Sequence, residues 1–103
     1  MIAVVLSAHP GEHQRTRAGI DLAMTLATFE TPFELFFTGP AAACLAPSDL
    51  PKSPARLLAS LPLYGLEQWY VDQSLPEMIS GTRVVSPETL REHIRQCDQV
   101  IRV

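Results

Sequence analysis

Ile2-Ala3-Val4-Val5-Leu6 runs straight into Ser7-Ala8-His9-Pro10-Gly11. The first five residues are apolar without interruption and rich in β-branched side chains. A strand with one wet face alternates; a continuous run of this length suits a strand buried on both faces, as in a parallel sheet. The following five residues read as a loop. Gln14 to Phe29 then carries a helical pattern: Ile20, Met24 and Ala27 lie on one stripe, widened by Ala23 and Leu26, and Thr31-Pro32 stops it.

The same alternation continues down the chain. Phe33-Glu34-Leu35-Phe36-Phe37 is a second strand, closed by Thr38-Gly39-Pro40, with Pro40 opening a short helix through Leu45. Ala46–Pro54 contains three prolines and is a loop. Ala55–Leu61 reads as a short helix ended by Pro62, and Gln68–Asp72 as a third strand on its aromatic content. Ser74–Met78 is expected to form a short helical turn, and Thr82–Val85 a fourth strand. Ser86-Pro87-Glu88-Thr89 combines an N-cap hydroxyl, a first-turn proline and an acid near the positive end of the helix dipole. That helix runs to about Cys97, with Leu90, Ile94 and Cys97 on one face, and Gln99–Val103 is a closing strand.

Strands alternating with helices predict an α/β domain of three layers: a mostly parallel five-stranded sheet with helices on both faces. Right-handed crossovers leave few topologies, and a flavodoxin-like strand order is expected. Ligands in such sheets sit at the carboxyl ends of the strands. The loop after the first strand, the Thr38-Gly39 turn and the end of the third strand at Asp72 are therefore the places to search.

Composition limits what else the chain can be. At 103 residues, a single domain spans residues 1–103. With 47% apolar and 18% charged residues, global disorder is excluded. The longest apolar stretches, Ile2–Leu6 and Ala41–Ala46, are far short of the roughly 20 residues of a membrane span. The start lacks a basic region and a small-residue cleavage pattern, so a cytosolic protein is expected. The net charge is −3, with one lysine, Lys52, and seven scattered arginines. That balance argues against direct nucleic-acid binding, which depends on neutralising phosphates. The two cysteines, Cys44 and Cys97, lack metal-ligand spacing and are expected as free thiols. No metal or cofactor is expected.

Ser7, His9 and His13 gather a hydroxyl and two imidazoles just before a helix N-terminus, which offers free N–H groups to an anion. No Gly-Lys-Ser/Thr follows, so this is not a P-loop, and one glycine is too few for a dinucleotide fingerprint. The plainer reading is a polar connection that caps the helix. Cys97 and His93 fall on or beside the apolar stripe of the last helix. Cys44 follows a helix start, where a thiol can be acidified, but its neighbours are alanine and leucine, and packing accounts for it. Trp69 and Tyr70 must point to opposite faces of their strand, so one can be core and the other an interface anchor.

The ordered segments resemble the DsrE/DsrF/DsrH and TusB/TusC/TusD sulfur-relay family, most closely TusC/DsrF. The likeness begins with Val5-Leu6-Ser7-Ala8-His9-Pro10-Gly11 and continues through Arg17-Ala18-Gly19-Ile20-Asp21 and Leu35-Phe36-Phe37-Thr38-Gly39. Leu61-Pro62-Leu63-Tyr64-Gly65-Leu66-Glu67-Gln68 is its most telling segment, and Leu90–Val103 fits the family's final helix and strand. The resemblance implies a subunit of a cytosolic persulfide relay that serves tRNA wobble 2-thiouridine synthesis or sulfur oxidation. It implies TusB/TusD-like or DsrE/DsrH-like partners, or association with itself. The family's sulfur-carrying cysteine sits just past the third strand; here Asp72 stands there, and no cysteine occurs from Gln68 to Met78. A carboxylate cannot replace the thiolate that attacks and carries sulfur. The expectation is a non-catalytic subunit with Tyr64, Trp69 and Tyr70 as interface anchors. Two alternatives stand beside it: a stand-alone sulfurtransferase using Cys44, and a small-anion or nucleotide-binding module using the Ser7–His13 loop.

Overall fold

The computed structural model describes residues 1–103. Its elements are β1 (Ile2–Leu6), α1 (His13–Thr28), β2 (Phe33–Phe37), a 3-10 segment (Gly39–Leu45), α2 (Pro54–Leu58), a second 3-10 segment (Leu61–Tyr64), β3 (Trp69–Val71), β4 (Thr82–Val84), α3 (Pro87–Arg95) and β5 (Gln99–Arg102). All five strands are parallel, in the order β4-β3-β2-β1-β5. The expected α/β class and five-stranded parallel sheet are present.

The strand order corrects one detail. A flavodoxin-like sheet runs 2-1-3-4-5. Here the chain steps from β1 through β4 in one direction and only then crosses back to place β5 on the other side of β1. The reversal lies between β1 and β5, not between β1 and β3. Strand patterning defines which segments pair as strands but not on which side of β1 each one docks.

In-register pairs show the two faces. Val4, Leu6, Leu35, Phe37, Trp69 and Val71 point to one side and pack beneath α1, α2 and the 3-10 segments, with Ile20, Ala23 and Ala27 of α1. Ala3, Val5 and Phe36 point to the other side, under Leu90 and Ile94 of α3. Gly19 lets α1 approach β1 closely: a Cβ there would lie 2.8 Å from Cγ of Leu6.

Local chemistry sets the element ends. The Ser86 side chain accepts from the Thr89 amide at 3.1 Å and starts α3 with Pro87 in its first turn. Ser53 does the same for α2, accepting from the Arg56 amide at 3.3 Å. α1 closes with Glu30 in the left-handed region (φ 56°); the Glu30 amide donates to the Ala27 carbonyl and the Thr31 amide to the Leu26 carbonyl. This pair of bonds is a Schellman closure with glutamate where glycine is usual.

Two local expectations change. Ser74–Met78 forms no helix. Pro76 lacks an N–H, and the segment is instead held by the Ile79 amide donating to the Leu45 carbonyl at 2.9 Å. Pro62 does not end a helix; it sits in the first turn of the Leu61–Tyr64 segment, where a missing N–H costs nothing.

Candidate functional site at the carboxyl rim of the sheet

The carboxyl ends of the strands bring together, in sheet order, Val103, Ser7, Thr38-Gly39, Asp72 and Val85. The backbone is stitched along this rim: the Val103 amide donates to the Val5 carbonyl, Thr38 to Leu6 and Val85 to Val71.

The crevice expected at the point of strand reversal lies between the ends of β1 and β5. Arg15 fills it. One guanidinium nitrogen lies 3.2 Å from Ser7 Oγ and 3.4 Å from the Val103 carbonyl, and the other lies 3.3 Å from a Glu12 carboxylate oxygen. Ser7 is therefore engaged by a side chain of the same molecule.

The rest of the first-strand loop is also internally bonded. His9 Nδ1 accepts from the Gly11 amide at 2.9 Å, and the His9 carbonyl accepts from the buried Thr16 hydroxyl at 3.0 Å. His13 opens α1 and lines a groove between α1 and residues 50–54. Ser7, His9 and His13 share no hydrogen bond, and the arrangement is that of a self-bonded connection. Arg15 and Thr16 were not among the residues singled out from sequence. Thr16 carried a usable signal, a small polar residue four positions before the buried Ile20. For Arg15 only the local Glu12 partner could be read from the chain; the Ser7 and Val103 partners are eight and 88 residues away.

Asp72 directly follows β3. Its Oδ1 accepts from the Gly39 amide at 3.2 Å, tying the end of β3 to the start of the first 3-10 segment. The carboxylate serves as an N-terminal acceptor for a turn whose own cap residue, Thr38, makes no side-chain bond.

Neither cysteine lies beside Asp72 in a reactive setting. Cys44 is 1% exposed, among apolar side chains, with Sγ 4.0 Å from the Ala8 carbonyl. Burial pushes its thiol from the ordinary 9.0 up to about 11, which leaves on the order of one thiolate in 10,000 at neutral pH. This is the environment of a packed thiol, opposite to that of an activated nucleophile. Cys97 sits near the amino end of the sheet, about 15 Å along the strands from Asp72 at roughly 3.3 Å per residue. Desolvation and the nearby Glu34 carboxylate, 3.8 Å away, push its thiol up as well. The two cysteines are free. No group of three or more His, Cys, Asp or Glu side chains converges to hold a metal.

The aromatic expectations separate. Trp69 is fully buried in the α1-side core, its indole N–H donating to Thr82 Oγ1 at 3.0 Å, so it cannot anchor a partner. Strand alternation put Trp69 and Tyr70 on opposite faces, but only packing shows which face α1 covers. Tyr70 is half-buried on the α3 side, stacked between Phe36 and His93 at centroid distances of 5.6 and 5.0 Å. Tyr64 is 47% exposed, beside Leu63 at 86%, and lines a shallow hollow with Glu30 and Pro32.

No helix is long and apolar enough to cross a membrane. Comparison with known folds finds the crystal structure of the ychN protein from E. coli. It superposes with a TM-score of 0.72 over 99% of this chain and 97% of that one, at 16% identity. Such identity carries the fold alone. No curated protein sequence matches the chain. The profile of the DsrE/DsrF-like family, however, matches residues 1–103, the full length described above. With the parallel sheet, the rim and the matching profile together, the chain is a member of the DsrE/DsrF-like family.

Proposed function

We propose that this protein is a non-carrier, TusC/DsrF-like subunit of a sulfur-relay complex, working with TusB/TusD-like or DsrE/DsrH-like subunits in tRNA thiolation or sulfur oxidation. One observation carries the reading. The resemblance puts the sulfur-carrying cysteine of carrier members just past the third strand, where this chain has Asp72, whose carboxylate accepts from the Gly39 amide. The two cysteines support it from the other side. Cys44 is sealed in the core with a raised thiol, and Cys97 stands at the opposite end of the strands. Persulfide transfer needs a thiolate that can be reached and can attack. The contribution of this chain would then be surface, with Tyr64 and Leu63 exposed and Tyr70 on the less covered face.

The test has two arms. The native chain is incubated with a persulfide donor, and intact mass spectrometry scores added sulfur. No transferable sulfur is expected on the wild type, and Asp72→Cys is expected to gain it. Native mass spectrometry of the protein purified from its host is expected to show two further small subunits in equal copies. Efficient persulfide turnover by the wild-type chain alone would overturn the proposal.

A further inference from the structure

Beside the first-strand loop, with Pro10 and His13 in its lining, a groove of about 1080 Å³ separates α1 from the proline-rich turn that leads into α2. Its lining includes the apolar Ile20 from α1, Leu57 from α2, Leu50 and Pro54, together with the cationic Arg17 and Lys52. The groove is open to solvent, and its volume slightly exceeds the roughly 300–1,000 Å³ typical of small-molecule pockets. Leu50, a large aliphatic side chain of this lining, is 70% exposed.

The charge of the lining runs against that of the chain. The protein carries −3 overall. Within the groove the only acid, Asp21, is compensated: its Oδ1 lies 3.2 Å from Nε of Arg17. That bond leaves both terminal nitrogens of Arg17 without a partner. Lys52, the single lysine of the chain, belongs to none of the ion pairs. The lining thus combines one uncompensated positive charge and free guanidinium donors with aliphatic side chains.

We propose that this groove binds an amphipathic anion: a small molecule with an aliphatic or aromatic body laid on Ile20, Leu57 and Leu50, and one acidic head group held by Lys52 and the terminal nitrogens of Arg17. The inference does not depend on the sulfur-relay reading, since none of these residues belongs to the carboxyl rim.

The probe is 1-anilinonaphthalene-8-sulfonate, an aromatic body with one anionic group, titrated into the folded full-length chain. Saturable binding at one site per chain is expected, with competition by decanoate. Lys52→Glu is expected to weaken the sulfonate about tenfold, the loss of one charge-assisted contact, while leaving the neutral analogue N-phenyl-1-naphthylamine unchanged. Leu50→Asp is expected to weaken both dyes. Both residues are exposed, and circular dichroism checks that each variant keeps its fold. The proposal is overturned if binding is not saturable or if neither substitution alters it. It is equally overturned if the signal falls as the chain concentration rises, which would make the groove a contact between copies.

Discussion

The two faces of the sheet are built differently. The α1 side encloses a continuous cluster of 16 buried residues drawn from three strands, α1, α2 and both 3-10 segments. The α3 side has five: Ala3, Val5 and Phe36 from the sheet, Leu90 and Ile94 from one short helix. Where α3 ends, Tyr70 lies half open, bonded through its hydroxyl to Gln68, which in turn takes Arg83. The difference teaches where stability and surface are divided. The α1 side holds the domain together; the α3 side leaves part of a sheet face open, and the edge strand β5 is open on both faces, with Val100 exposed on the α3 side and Ile101 on the α1 side.

That contrast can be broken most directly by truncating one large side chain on each face. Phe37→Ala, on the α1 side, is expected to cost about 3–5 kcal/mol in urea unfolding. Ile94→Ala, at the margin of the smaller cluster, is expected to cost nearer 2 kcal/mol, the low end for such truncations. Equal losses would mean that the α3 side is as tightly packed as the α1 side. Gly19→Ala tests the close approach of α1 to β1. The new methyl meets Leu6, and overpacking of this kind costs about 1–3 kcal/mol, outweighing the helix propensity that alanine adds. A stabilised variant would show that the helix can move away freely.

Ser86→Ala removes the cap that positions α3, and a loss of about 1 kcal/mol is expected, confined to the α3 side in hydrogen exchange. The smallest effect at neutral pH is the one from Cys44. Its folded thiol titrates at about 11, above its ordinary 9.0. The unfolded chain therefore releases this proton first. The contribution is fully present below pH 9 and is lost as pH rises from about 9 to about 11. Cys44→Ala should flatten this alkaline limb of the stability profile; an unchanged slope would place its cause elsewhere.

Much of this architecture was readable from residue order. The apolar run at Ile2–Leu6 reads as a strand covered on both sides and Phe33–Phe37 as a second strand, and the Ser86-Pro87-Glu88 signature marks the start of α3. Gly19-Ile20-Asp21 and Asp72 were visible as positions of interest. Their roles were not. Asp72 reads as a missing cysteine in the chain, and becomes an acceptor for the Gly39 amide only when β2 and β3 lie side by side. Ser7 reads as available, and is occupied because β5 returns beside β1 and brings the Val103 carbonyl within reach of Arg15.

What the chain determined alone is what short-range periodicity and capping can encode: parallel strands, the alternation with helices, the start of α3. Tertiary structure decided the strand order, which face α1 covers, the burial of Trp69 rather than Tyr70, and the groove beneath Leu50. These depend on which surfaces meet across tens of residues. Side-chain alternation is symmetric between the two faces of a strand, so only the packing of distant helices onto one of them breaks the tie.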